Sequence, residues 1–120
     1  MLNLDTHILV ASLAGELSGR EQALVEKESL VVSDIVMWEM AKLVQIGRLV
    51  MDLDSIVFRR SLRHLTVIPI SIQIARQSVK LDFTSDPADE IIAATSVVER
   101  IPLLTRDHKI LKSRMVPLAK

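Results

Sequence analysis

The chain contains no cysteine. That excludes a disulfide framework, a thiol nucleophile and a thiolate metal site. Its aromatic residues are only Trp38, Phe58 and Phe83, too few for base stacking on single strands to be the main device. Neither charge is in excess: 15 basic and 15 acidic residues give a formal net charge of zero. A balance of that kind neither demands nor excludes a nucleic-acid partner. No apolar run approaches the length of a membrane span. The first residues, MLNLDTHILVA, lack the basic start and cleavage site of a signal peptide. A cytoplasmic location with no membrane partner is the expectation. There is no repeat, low-complexity tract or linker, and no P-loop, GxGxxG or Ser-His-Asp ordering. His7, His64 and His108 lack HExxH spacing, and surface polar roles suit them better than zinc ligation.

What is present is a chain of 120 residues, 49% of them apolar, enough for one domain around one core over residues 1–120. Leu2 to Leu4 reads as a strand ending at Asp5, followed by a helix from Thr6 to about Leu13. Gly15 to Gly19 is a turn, and Glu21 to Glu28 a helix whose inner face is Ala23, Leu24 and Val25. Leu30 to Val32 is a second strand, closed by the helix-start pair Ser33-Asp34. The helix Ile35 to Ile46 is apolar on nearly all sides, the mark of a helix covered on more than one side. Gly47 stops it. An arginine-rich helix is expected from Leu53 to Leu65, a third strand from Thr66 to Ile70 and a helix from Ile72 to Leu81. Alternation of strands and helices argues for βαβ units and a parallel sheet covered on both faces.

The stretch DPADEIIAATSVVERIPLLTRD, Asp86 to Asp107, is the most explicit. Asp86 suits an N-cap and Pro87 the first helical position. Ile91, Ala94, Thr95 and Val98 recur at helical spacing, widened by Ile92, Ala93 and Val97. Ile101-Pro102 stops the helix, because a residue before proline avoids the helical region. Leu103 to Thr105 reads as a buried strand, Ile110 marks a short helix, and Met115-Val116 is the expected last strand. Ligand sites of open α/β sheets gather at the carboxyl ends of strands. Asp5 and Asp107 both follow strands there, and Asp89 lies in the first turn of the helix between them. Glu39, inside VMWEMA, is the odd one, since an acid there needs solvent or a partner.

Each acid taken alone has a structural reading. Asp5 suits a helix cap, Asp89 a capping box or the helix dipole, Asp107 a turn, and Glu39 an ion pair with Lys42 one turn on. Taken together they repel, and their ionised forms persist only beside a cation. Clustered carboxylates suit Mg²⁺ or Mn²⁺.

The ordered pieces LDTHILVA, VSDIVMWEMAKLVQIGRL, VIPIS and LDFTSDPADEIIAATSVVERIPLLTRD resemble the PIN-domain ribonucleases, specifically the VapC-like toxins of bacterial toxin–antitoxin pairs. The likeness spans nearly the whole chain. It implies a three-layer α/β/α fold with a short, mostly parallel sheet. It also implies an endoribonuclease that hydrolyses RNA phosphodiesters with Mg²⁺ or Mn²⁺. The implied acids are Asp5, Glu39, Asp89 and Asp107, with Asp5 and Asp89 touching the metal and Thr6 and Thr105 lining the site. Asp86 matches an acid before proline and is read as a cap. Arg59, Arg60, Arg63, Arg106 and Lys109 are candidates for substrate phosphate. The family further implies a homodimer and a cognate antitoxin that covers the acidic pocket. Two departures stand out: Glu90 where many relatives have arginine, and Asp34 where small residues are commoner.

Two other classes compete. A phosphoacceptor signalling domain shares the length, sheet and acidic Mg²⁺ pocket, but needs an aspartate ending the third strand, where this chain reads TVIPIS. A non-catalytic interaction module that kept the fold is the other.

Overall fold

The computed structural model describes all 120 residues. Four strands, β1 (Leu2–Leu4), β2 (Leu30–Ser33), β3 (Leu65–Ile68) and β4 (Leu103–Leu104), form one sheet in the order β3-β2-β1-β4. All three pairings are parallel, Leu2 opposite Leu30, Leu30 opposite Leu65 and Asn3 opposite Leu103. Seven helices surround it: α1 (Thr6–Ala14), α2 (Gly19–Lys27), α3 (Ile35–Gln45), α4 (Ile56–Ser61), α5 (Ile72–Ser78), α6 (Pro87–Glu99) and α7 (His108–Leu111). None is long and apolar enough to cross a membrane.

Central strand β1 shows why both faces are covered. The Asn3 side chain donates to the Ile92 carbonyl (3.2 Å) and Ser96 Oγ (2.9 Å) on α6. By the two-residue period Leu2 and Leu4 turn to the opposite face, and all three are buried. They join Ile8, Val32, Val36, Met40, Ile92, Leu103, Leu104 and Ile110 in one apolar core. Helix α6 lies deepest, with Ala88 and every residue from Ile92 to Ser96 buried. Its alanines and Ser96 let neighbouring elements approach closely, which larger side chains would prevent. The helix ends as Arg100 takes a left-handed conformation (φ 56°), donating its N–H to the Ser96 carbonyl. The Ile101-Pro102 pair then starts the extended run into β4.

Several expected elements are corrected. The arginine-rich helix is shorter: α4 starts at Ile56 under a Ser55 cap and runs out in a 3-10 turn over Leu62–His64. Phe58 alone in α4 is buried, so little packing holds a longer helix there. β3 begins one residue early and ends at Ile68, before Pro69, which has no N–H for the ladder. Helix α5 ends at Ser78, not Leu81. The last strand is not at Met115-Val116; instead Leu118 bridges Leu103, with Leu103 N donating to Pro117 O and Ala119 N to Leu103 O. Helix α2 starts at Gly19, inside the expected turn, because Ser18 and Glu21 close a capping box. Ala23 on its expected inner face is exposed. Helix α3 is covered less than its composition suggests: Val36 and Met40 are buried, while Trp38 is 52% and Ile46 61% exposed.

The chain order fixes where a ligand can sit. β2 and β3 build outward from β1 on one side and β4 is added on the other, so the direction reverses between β1 and β4. Such a switch point opens a crevice at the carboxyl ends of the two strands.

Candidate metal centre

Asp5 leaves β1 into that crevice. It is the N-cap of α1, with Oδ1 accepting from Thr6 N at 2.8 Å. Its Oδ2 accepts a 2.6 Å hydrogen bond from Thr105 Oγ1, at the end of β4. Two elements a hundred residues apart therefore fix one carboxylate. It is 1% exposed, and burial pushes its carboxyl above the usual range against the opposing hydrogen bonds of Thr105 and Thr6.

Asp89 arrives from the first turn of α6 and Glu39 from the second turn of α3. One carboxylate oxygen from each of Asp5, Glu39 and Asp89 lies within 4.8 Å of the other two. Burial, and then the like charges of Asp5 and Glu39, push the Asp89 carboxyl up to about 6, with a smaller push from Asp107 and a hydrogen bond from Ser85 Oγ (3.1 Å) opposing. Glu39 Oε1 is buried with no hydrogen-bond partner, and it makes no ion pair with Lys42, whose ammonium instead sits 5.6 Å from the Trp38 ring centroid. An orphaned buried carboxylate oxygen costs several kcal/mol if nothing charged meets it. The donor set is all oxygen, the chemistry that hard divalent cations such as Mg²⁺ and Mn²⁺ select. The residues therefore fit such an ion.

Asp107 stands just outside the close trio. It caps α7, with Oδ1 accepting from Lys109 N (2.8 Å) and Ile110 N (3.2 Å), and its own N–H donates to Thr105 Oγ1 (3.0 Å). One cavity of about 390 Å³ runs between Asp89 and Asp107, walled by Ser85, Asp86, Arg106, His108 and Lys109. Another of about 280 Å³ joins Asp107 to Asp5, His7 and Arg106. Thr6 Oγ1 is buried beside Asp5 without a partner.

The other candidates are placed as follows. Lys109 lines the larger cavity. Arg106 lines both, but Nε and Nη2 are bound by Glu21 Oε2 (2.8 Å) and Oε1 (2.7 Å). Arg59 and Arg60 are exposed on α4 and line neither cavity. Arg63 lies two residues before β3, which puts it at the amino edge of a parallel sheet, the edge away from the acids. Asp86 takes the N-cap position of α6, yet its side chain makes no cap hydrogen bond. Glu90 accepts from Ser85 N (3.3 Å), and Asp34 from Ile70 N (3.3 Å), so Glu90 ties down the loop before its own helix and Asp34 the loop after the neighbouring strand β3. No acid ends β3, which passes from Ile68 to Pro69, so the place a phosphoacceptor aspartate needs is vacant.

Sequence reasoning passed over Glu21 and Ser85. The S-x-x-E spacing of Ser18 and Glu21 is a readable capping signal. Nothing local announces that Glu21 meets Arg106, or that His7 and His108 wall the cavities.

Residues 3–114 match the family model described as PIN domain. A comparison with curated proteins finds no match. Among solved structures, a toxin–antitoxin complex from Klebsiella pneumoniae contains a chain with 25% identity and a TM-score of 0.71, over 93% of this chain and 91% of that one. FitAcB from Neisseria gonorrhoeae gives 18% identity and a TM-score of 0.74, over 100% and 97%. VapBC2 from Rickettsia felis, bound to a promoter DNA fragment, gives 18% and 0.70, over 99% and 98%. At such identities the latter two speak to the fold alone.

Proposed function

The chain belongs to the PIN domain family, and from that premise we propose that it is the toxin of a toxin–antitoxin pair, an endoribonuclease that hydrolyses RNA phosphodiesters with Mg²⁺ or Mn²⁺. The observation that carries the proposal is the meeting of Asp5, Glu39 and Asp89 within 4.8 Å around a buried, partnerless carboxylate oxygen. Asp5, Glu39 and Asp89 would hold the ion. When bound, a divalent cation offsets the charge developing on the phosphodiester and brings water to a nucleophilic state near neutral pH.

The chain's own groups supply the rest. Thr105 holds Asp5 Oδ2, so the carboxylate cannot rotate away from Glu39 and Asp89. Asp107 has spent Oδ1 on the start of α7, which leaves Oδ2 to accept a proton or orient water at the cavity wall. Thr6 offers its free hydroxyl beside Asp5. Lys109 and the unbound Nη1 of Arg106 are the cations placed to meet a substrate phosphate. An open, polar cleft suits an extended strand better than a small molecule enclosed on all sides.

The test is cleavage of a labelled single-stranded RNA by purified protein with Mg²⁺, with Mn²⁺ and with chelator. Cleavage only with metal, lost in Asp5→Asn and Asp89→Asn, supports the assignment. Full activity in either variant, or in chelator, defeats it.

The partner proposal is an antitoxin that covers the acidic cleft with a basic side chain, and a homodimer of this chain, acting in the cytoplasm. Support comes from the exposed Trp38 on α3, Ile46 just after it and Ile72 (70% exposed) on α5, and from the toxin–antitoxin complex matched at 25% identity. Light scattering on the protein alone and co-expressed with its neighbouring gene product checks both. A monomer unchanged by that product would overturn them.

A further inference from the structure

Among 15 basic and 15 acidic residues, one pair only is joined side chain to side chain within 4.0 Å: Glu21 and Arg106. Glu21 is 7% exposed. Its Oε1 accepts from Ser18 N (2.8 Å) and from Arg106 Nη2 (2.7 Å), and its Oε2 from Arg106 Nε (2.8 Å). Arg106 Nη2 also donates to the Glu16 carbonyl at 3.2 Å. The guanidinium is gripped on one side by a carboxylate 85 residues earlier in the chain.

The place of that guanidinium makes the grip consequential. Arg106 lies between Thr105, which holds Asp5, and Asp107. It walls both the cavity shared with Asp89 and the cavity shared with Asp5. No side-chain cation pairs with those acids within 4.0 Å, although His7 shares the cavity of Asp5. A guanidinium released here shares a cavity with Asp89 and another with Asp5 and carries the charge to pair with them, since arginine pairs readily with carboxylates in partly buried sites. It does not do so, because Glu21 offers it a bidentate partner instead.

We infer that Glu21 is a positioning residue, which holds the Arg106 guanidinium off the acidic cluster and so keeps that cluster free for a divalent cation. Without it, Arg106 becomes the internal counter-ion of the acids and competes with the metal. This rests on the proposed metal-binding role of Asp5, Glu39 and Asp89.

The experiment is calorimetric titration of the full chain with Mn²⁺, comparing wild type with Glu21→Gln, Arg106→Gln and the double variant. Glutamine keeps the volume of Glu21 and an oxygen for Ser18 N, but loses the charge that holds Arg106. Glu21→Gln is expected to weaken Mn²⁺ about tenfold. Arg106→Gln and the double variant are expected to bind within about threefold of wild type, because the competitor is gone. A purely structural role for Glu21 leaves the double variant at least as weak as Glu21→Gln, and that result overturns the inference. So does wild-type affinity in a folded Glu21→Gln. If Glu21→Gln fails to fold, Glu21→Asp, whose carboxylate is one methylene too short to grip Nε and Nη2 together, is judged by the same criteria. Absence of Mn²⁺ binding by wild type overturns the metal reading of the acids and this inference with it. Wild-type binding with an unaffected Glu21→Gln overturns this inference alone.

Discussion

Helices α2 and α6 start alike and end up in opposite electrostatic situations. Each carries an acid at the third helical position, Glu21 after the cap Ser18 and Asp89 after the cap Asp86. At α2 the acid completes the local motif: Glu21 reaches back to Ser18 N, and Glu21 N donates to Ser18 Oγ (3.2 Å). The Arg106 guanidinium, bonded to it, holds its carboxyl at about 2. At α6 the cap makes no side-chain hydrogen bond, and Asp89 turns into the crevice to face Asp5 and Glu39. Burial and those like charges lift its carboxyl to about 6. Position within the helix is the same; the partner across the fold differs. The first acid stabilises the protein at neutral pH, whereas the second costs stability until a cation arrives. Acids retained at such a cost point to a site rather than to scaffold.

Removing the charge at the costly acid gives the largest contrast. Asp89→Asn, like Asp5→Asn, is expected to lower metal-dependent RNA cleavage beyond the ~100-fold typical of outer-sphere changes, with the circular dichroism spectrum unchanged. The equivalent change at Glu21 spares the proposed metal ligands, so it should cost less cleavage; equal losses would erase the distinction between the two helix starts. Next in size is the support of Asp5. Thr105→Val deletes the 2.6 Å hydrogen bond to Oδ2 and should weaken Mn²⁺ by ~10–100-fold, read by titration calorimetry. An unchanged affinity would mean that Thr105 merely fills space.

Stability sharpens the comparison further. In the metal-free protein Asp89→Asn should stabilise the fold by ~1–2 kcal/mol in urea melts at pH 7, discounted for solvent at the half-buried site. Its raised carboxyl imposes no cost while protonated in both states, below about pH 4. The cost grows between there and about pH 6 and is complete above. Wild type should therefore gain on Asp89→Asn as the pH falls from 7 to 5, and saturating Mg²⁺ should restore wild type without helping the variant. A variant no more stable than wild type at pH 7 would contradict this account of Asp89.

The smallest effect is expected at Glu21, with the opposite sign. Its lowered carboxyl gives stability that is complete above about pH 4.5 and disappears as the pH falls towards about 2. Glu21→Gln should lose only ~1 kcal/mol at pH 7, because Arg106 is 47% exposed and partly screened. The loss should shrink below pH 4.5, and a pH-independent difference would mean that the ion pair contributes nothing.

Much of this was readable from residue order. Short apolar runs separated by helical periods announced a parallel sheet, and the strands, apart from the shifted β3 and the misplaced last pairing, lie where apolar patterning put them. Misjudged boundaries sit where tertiary support is thin: α4 buries Phe58 alone, and the chain end pairs by the single bridge of Leu118 to Leu103. Helix α3 is less covered than its residues imply for the converse reason, since an apolar composition does not say whether a partner is present to cover Trp38. The acids were nominated by residue type and by their place after strands or caps. The five basic candidates rest on charge alone, and the fold divides them: Lys109 and Arg106 at the cleft, Arg59, Arg60 and Arg63 outside it.

By itself the sequence determined the kinds of elements, their alternation and the presence of an acid at each critical turn, because periodicity, caps and proline act within a few residues. Only the tertiary structure decided which acids face one another and which finds an arginine. Coulomb and hydrogen-bond energies fall away within a few ångströms, and here those few ångströms separate residues 85 and 100 positions apart in the chain.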